Sequence, residues 1–265
     1  MSINFHAYQC RDYLLSDYEE IEKQWKTEFT GYDPERTARI LNLEKDETYL
    51  YVRYFQTLYR LRRKDGTLEK QFEETADSHR REKPSHAGPL SSSCLKIYDR
   101  EKLYLQDTAP AHISENGWTD RVYFNECMVI YHLLHYVKDH PSISGTWIPN
   151  SQLDTRAGSH NQRKDILLTS FSSSFAGKIK QLEMACKKLG GICVETKADL
   201  SWEFHPFPQI PLRLLFWDED EDFPAQVQIL VDSQVTDYVH LETTGCMVSD
   251  LFEKLTALAN PPENS

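Results

Sequence analysis

The stretch Pro208–Ser233, PQIPLRLLFWDEDEDFPAQVQILVDS, decides the fold. Two apolar runs, Pro211–Trp217 and Ala225–Val231, flank the acids Asp218, Glu219, Asp220, Glu221 and Asp222. Runs of this length, bounded by turn signals and carrying Val, Ile and Phe, predict two buried neighbouring strands. The acids between them then fall at a strand edge or loop, where charge meets water or a ligand. The predicted contact region is the surface near Trp202, His205, Trp217, Asp218, Asp220, Glu221, Asp222 and Phe223.

Working outward, Ile192–Thr196 and Leu200–Phe204 read as further strands. They follow an amphipathic helix marked by Phe175, Ile179, Leu182, Cys186 and Leu189, which Gly190-Gly191 ends because glycine accepts a left-handed C-cap. Leu251, Leu255 and Leu258 predict a last helix. Asn125–Lys138 is apolar around its whole circumference, so that helix belongs at the centre of the fold. Pro141 stops it, and Gly145–Pro149 follows as a short extended piece. Near the start, Leu14, Tyr18, Ile21 and Trp25 recur at helical steps. Asp33-Pro34-Glu35 opens a second helix with an N-cap acid and proline at the first position. Thr48–Arg62 is dense in aromatic and β-branched residues and favours strand. Lys64-Asp65-Gly66-Thr67 is a hairpin turn.

These elements predict an α+β fold, a mostly antiparallel sheet flanked by amphipathic helices around one buried central helix. The polar segment Phe72–Ser93 divides the chain. Residues 1–71 form a helical and hairpin region, 72–93 a linker or insertion, and 94–265 the main α+β domain; one domain overall is equally consistent. Cys94–Asp99 and Lys102–Asp107 read as two short strands within that last part.

The 265-residue chain carries 41 acids against 30 bases, a net charge of −11. Such a field repels nucleic acid and anionic membranes. The basic groups Arg60–Lys64 and Arg80–Lys83 lack the aromatic interleaving of a single-strand binding surface. The six cysteines, Cys10, Cys94, Cys127, Cys186, Cys193 and Cys246, form no CxxC pair. Their scatter predicts reduced, mostly buried thiols. No signal sequence or membrane span is predicted, and a cytoplasmic location follows by elimination.

Several chemistries compete for these residues. On an extended strand Asp218, Asp220 and Asp222 share a side and invite a hard cation such as Ca²⁺ or Mg²⁺. The loop is not an EF-hand, because Phe223 stands where glycine is needed. The simpler reading is a solvated turn. His132 and His135 share a helix face and, with Cys127 or Glu126, suit a transition metal or a haem-like or corrinoid cofactor. Core histidines bonded to the sheet are the simpler alternative. Cys193 lies near His205 and Asp199 in sequence, but it sits where a buried strand residue is expected. Asp199 and Glu203 would stand roughly 13 Å apart on a regular strand, too far for glycoside hydrolysis. Nucleophile-elbow and phosphate-loop motifs are missing.

Four pieces carry a family resemblance: Leu189-Gly190-Gly191; Asp199–Phe204 leading into Pro208–Pro211; Phe216-Trp217 with Asp220–Ala225; and Ile229–Ser233. With Leu133–Tyr136 and Gly145–Ile148 upstream, residues 125–258 resemble the domain-of-unknown-function family 3786, known mainly from anaerobic bacteria and archaea. Gly31–Leu43 and Tyr49–Gly66 resemble its N-terminal region more weakly. Where the family pattern places glutamate before Phe-Pro, this chain has Asp222. Some members carry an added cysteine cluster for an iron–sulfur centre, which this chain lacks. The resemblance implies a fold unit and an association with anaerobic metabolism, without an established activity. Two functions remain in competition: a non-catalytic partner- or cofactor-binding protein, and a divalent-metal hydrolase built on residues 218–222.

Overall fold

A computed structural model describes residues 15–29, 31–71, 117–153 and 162–261. The predicted linker 72–93 and the strands predicted at Cys94–Asp99 and Lys102–Asp107 lie outside the described residues. The helices are α1 (Leu15–Phe29), α2 (Pro34–Leu41), α3 (Phe124–Tyr136), α4 (Gln162–Phe175), α5 (Ile179–Lys188) and α6 (Leu241–Ala259). The strands are β1 (Tyr49–Tyr54), β2 (Thr57–Arg62), β3 (Leu68–Gln71), β4 (Trp118–Thr119), β5 (Trp147–Pro149), β6 (Ile192–Cys193), β7 (Leu200–Phe207), β8 (Ile210–Trp217) and β9 (Gln226–Asp232). They make two antiparallel sheets, β1-β2-β3-β4 and β5-β9-β8-β7-β6, so the fold is α+β.

The aromatic run Thr48–Arg62 is two strands rather than one. It folds back at Phe55, which adopts φ +48°. A bulky side chain rarely takes this left-handed conformation. Here the Phe55 N–H donates to the Pro206 carbonyl across the two sheets (2.6 Å), and the ring is buried. The Tyr54 ring meets Phe207 at the same junction, 5.0 Å between centroids. The predicted hairpin at Lys64–Thr67 forms, with Gly66 at φ +72° and Asp65 bound to both Arg62 and Thr67.

In the second sheet, β8 and β9 pair without interruption from Leu212↔Val231 to Trp217↔Gln226. One face of β8 buries Leu212, Leu214 and Phe216 completely, while Arg213 and Trp217 on the other are partly exposed. Leu212 and Leu214 join one hydrophobic cluster with Val129, Ile130 and Leu133 of α3 and Leu251 and Leu255 of α6. The central position expected of α3 follows from that burial. Beneath it Tyr54 of β1 donates to Asp250 of α6 (2.7 Å), and Asn125 of α3 reaches the other oxygen.

The helix predicted through Phe175 and Leu189 is broken. Gly177 takes φ +68°, and Phe175 ends α4 before α5 begins. Ser172–Ser174 lie inside α4. At the far end of α5, Gly190 has φ +76°, as a C-cap glycine does, and Gly191 N–H closes onto the Cys186 carbonyl. A side chain at Gly191 would meet Phe204 at 2.7 Å. Cys193, expected to be buried, is exposed because β6 is a two-residue edge strand with both residues outward. Cys127 and Cys186 are buried free thiols, as expected.

Asp232 positions β5 against β9. Its fully buried carboxylate accepts the backbone N–H groups of Ser144, Gly145 and Gln234 and the Ser144 hydroxyl. Burial alone would raise its pKa, but those N–H donors outweigh burial and hold it below the ordinary carboxylate range. Asp232→Ala removes the shared acceptor of these part-buried donors and is expected to cost roughly 1–3 kcal/mol. Urea unfolding measures the loss; a change under about 0.5 kcal/mol contradicts the assignment.

Candidate functional site

Where β5 ends, a cleft opens. Pro149 is its last residue, and Asn150–Gln152 turns away as a 3₁₀ segment. Asn150 is held instead by the Thr244 hydroxyl of α6 (2.7 Å). The departure leaves a cleft of about 320 Å³ beside residues 226–229 of β9. Leu167 and Leu168 of α4 form one wall, and Gly245 and Val248 of α6 another. Trp217 closes the end nearest the acidic hairpin, while Asn150, Ser151, Gln226 and Gln228 supply polar edges. Its lining among the described residues holds no Asp, Glu, Lys or Arg. This is a neutral, mostly apolar site with amide groups at its rim, suited to binding by burial and a few oriented hydrogen bonds.

The acids do form the loop joining β8 to β9, but the loop is not extended. Asp220 Oδ1 accepts the N–H groups of Asp222 and Phe223, and the Asp220 N–H donates to the Phe223 carbonyl. Asp218 Oδ1 accepts from Gly177 and Glu219, tying the loop to the α4–α5 turn. Asp199 in turn accepts the Asp218 N–H (2.9 Å). These oxygens serve backbone donors of the turn and of Gly177. No group of three or more His, Cys, Asp or Glu side chains arranged for a metal occurs among the described residues. Phe223 projects outward, 64% exposed.

Of the predicted contact residues, the structure brings Trp217 and Asp218–Phe223 together and leaves two elsewhere. Trp202 is buried among the core residues, opposite Leu214. His205 lies on the outer face and meets Glu203, which is also paired with Arg213. It stands about six residues along the strands from Trp217, roughly 20 Å at 3.3 Å per residue. Asp199 and Glu203 do not meet: the first caps the acidic loop and the second belongs to this ion-pair group.

The two histidines share one ring cluster, both packing on Trp25 and Tyr136, but differ in burial. His132 is buried, with Nδ1 2.7 Å from the Thr243 hydroxyl of α6. His135 is exposed and packs its ring on Trp25 and Tyr32. Burial, reinforced by His240 and His135, pushes the His132 pKa down to about 3. The ring is neutral near pH 7. Glu126 is buried between two lysines, 3.8 Å from Lys70 Nζ and 3.9 Å from Lys254 Nζ. Its side chain also accepts the Tyr123 N–H at the start of α3, a helix-capping role.

Sequence reasoning missed the cleft and its Gly245. The available signal was a glycine inside the helical stretch Leu241–Ala259, where any other residue but proline is a better helix former. Among the described residues no helix is long and apolar enough to cross a membrane. A family model described as a domain of unknown function, DUF3786, matches residues 94–253. No curated protein and no solved structure matches the chain.

The depressed His132 pKa has a measurable consequence. Between about pH 6.5 and pH 3 the unfolded chain binds a proton at this site that the folded chain does not. Stability from this group is full above pH 6.5 and lost as pH falls, by up to about 1.4 kcal/mol per pH unit. His132→Gln is expected to flatten the slope between about pH 6.5 and 4.5 in urea unfolding. An unchanged slope contradicts the burial assignment.

Proposed function

The chain belongs to the domain-of-unknown-function family DUF3786, and we propose that it is a non-catalytic binding protein whose ligand or partner occupies the cleft beside Trp217. The observation that carries this reading is Gly245. A glycine inside a helix costs roughly 0.5–1 kcal/mol relative to alanine. Among the described residues no neighbouring atom lies within 4 Å of a Cβ built there, so packing against them does not demand it. Its side of α6 faces the cleft, and any side chain would project into that space. Glycine at this position gives up helix stability and leaves the cleft open.

The acidic hairpin at the Trp217 end supplies an electrostatic rim that favours cationic over anionic partners. A place in the cytoplasm and in anaerobic metabolism, the latter implied by the family resemblance, belongs to the same proposal. The competing hydrolase reading requires Asp218, Asp220 and Asp222 to converge on a cation, although Asp218 and Asp220 each commit one oxygen to backbone donors. A melting temperature raised by Ca²⁺ or Mg²⁺, and no longer raised in Asp220→Asn, would favour it.

The neutral apolar dye Nile red tests the cleft. It is expected to brighten on binding and to quench the emission component that Trp217→Phe removes. Gly245→Ala should melt higher and still bind. Gly245→Leu should stay folded and lose most of the dye signal. Equal dye binding by Gly245→Leu and the parent protein overturns the assignment of the cleft.

A further inference from the structure

The backbone of β9 carries more information than the cleft's side chains. In an antiparallel ladder the N–H and C=O of one residue point to the same neighbouring strand, and successive residues alternate. Ser233 N–H donates to the Thr146 carbonyl, just beyond the β5–β9 register of Trp147↔Asp232 and Ile148↔Val231. Odd-numbered residues of β9 therefore face the β5 side, and even-numbered ones face β8. Carried through β8 and β7, the same alternation requires Ser201 to face β6. The Val194 N–H does donate to the Ser201 carbonyl (3.0 Å).

Val231 is thus served by Ile148, and the next outward residues are Ile229 and Val227. Strand β5 has ended by then: Pro149 pairs with Leu230, and Asn150 turns away. No described strand lies beyond Ile229 and Val227, and both residues line the cleft. Among the described residues this stretch of edge is unpaired, and an unpaired strand edge is a template for a further strand. Direction and charge then specify the occupant. A segment continuing the path of β5 runs antiparallel to β9, from Ile229 toward Gln226, and leaves the cleft at the acidic hairpin.

We propose that the cleft receives an extended peptide segment that adds to β9 as an antiparallel strand through Val227 and Ile229. An apolar side chain of the peptide packs against Leu167, Leu168 and Val248, in the space left by Gly245. Basic residues C-terminal to it meet Asp218–Asp222. The apolar contacts and main-chain bonds supply affinity, and the hairpin selects for charge. This inference rests on the reading of the cleft as a binding site.

The probe is a fluorescein-labelled pool of peptides with alternating threonine and apolar residues followed by three lysines, the central apolar residue varied over Val, Leu, Ile, Phe and Tyr. Fluorescence anisotropy is expected to show saturable binding that weakens with salt. N-methylation of the amides that would face β9 should lower affinity about tenfold or more, the equivalent of roughly one lost hydrogen bond. Replacing the lysines by glutamates should weaken binding as well. Val227→Pro removes one outward N–H while sparing the β8 ladder, since proline is tolerated where its nitrogen faces away from the sheet. This variant should keep the parent's circular dichroism spectrum and lose the peptide. Should it fail to fold, the N-methylated peptides decide. Equal binding of N-methylated and parent peptides, or no peptide binding while Nile red still binds, overturns strand addition and leaves the cleft reading intact. If Nile red fails too, the cleft reading falls with it.

Discussion

The antiparallel register of β8 against β9 is the constraint on which the rest of the site depends. Because Trp217 stands opposite Gln226, the residues between them must turn, and the acids fall outside the ladder. The alternation along β9 decides which of its amides look inward to β8 and which look outward. It also sends Ile229 and Val231 to the core while Gln226 and Gln228 stay at the rim. A one-residue slip would exchange all of these roles at once.

What holds that register in place is packing on one side and a single carboxylate on the other. Fully buried Leu212, Leu214 and Phe216 leave β8 no alternative face. Asp232 gathers the entry to β5, so that strand starts correctly and ends early. Pro149 suits an edge strand, since its nitrogen faces away from β9. Beyond it, the bond between Asn150 and Thr244 commits the chain to α6 instead of the sheet. The cleft is therefore a product of local bonding preferences, not of loose packing.

Much of this was legible in the sequence where one strong signal acted alone. The two apolar runs around Asp218–Asp222 gave the β8–β9 hairpin, Asp33-Pro34 gave the start of α2, and the all-round apolar run gave a buried α3. The readings that failed were those in which tertiary partners chose among local options. Phe55 turns where a strand was expected because Pro206 offers its carbonyl. The extended reading of the acids ignored the backbone donors that Asp218 and Asp220 capture. His132 and Trp202 look like ligand-binding residues by type, yet burial assigns both to the core. The cleft was invisible for a related reason. It is lined by ordinary leucines, glutamines and a glycine that no motif gathers, and it exists only because one strand stops short.

Residue-resolved amide hydrogen exchange of the free protein tests the central claim most directly. The account predicts alternation along β9: fast exchange at Val227 and Ile229, whose N–H groups face the cleft, and slow exchange at Gln228 and Leu230, whose N–H groups are bonded to β8. Uniform protection across all four amides, or the opposite alternation, would contradict it.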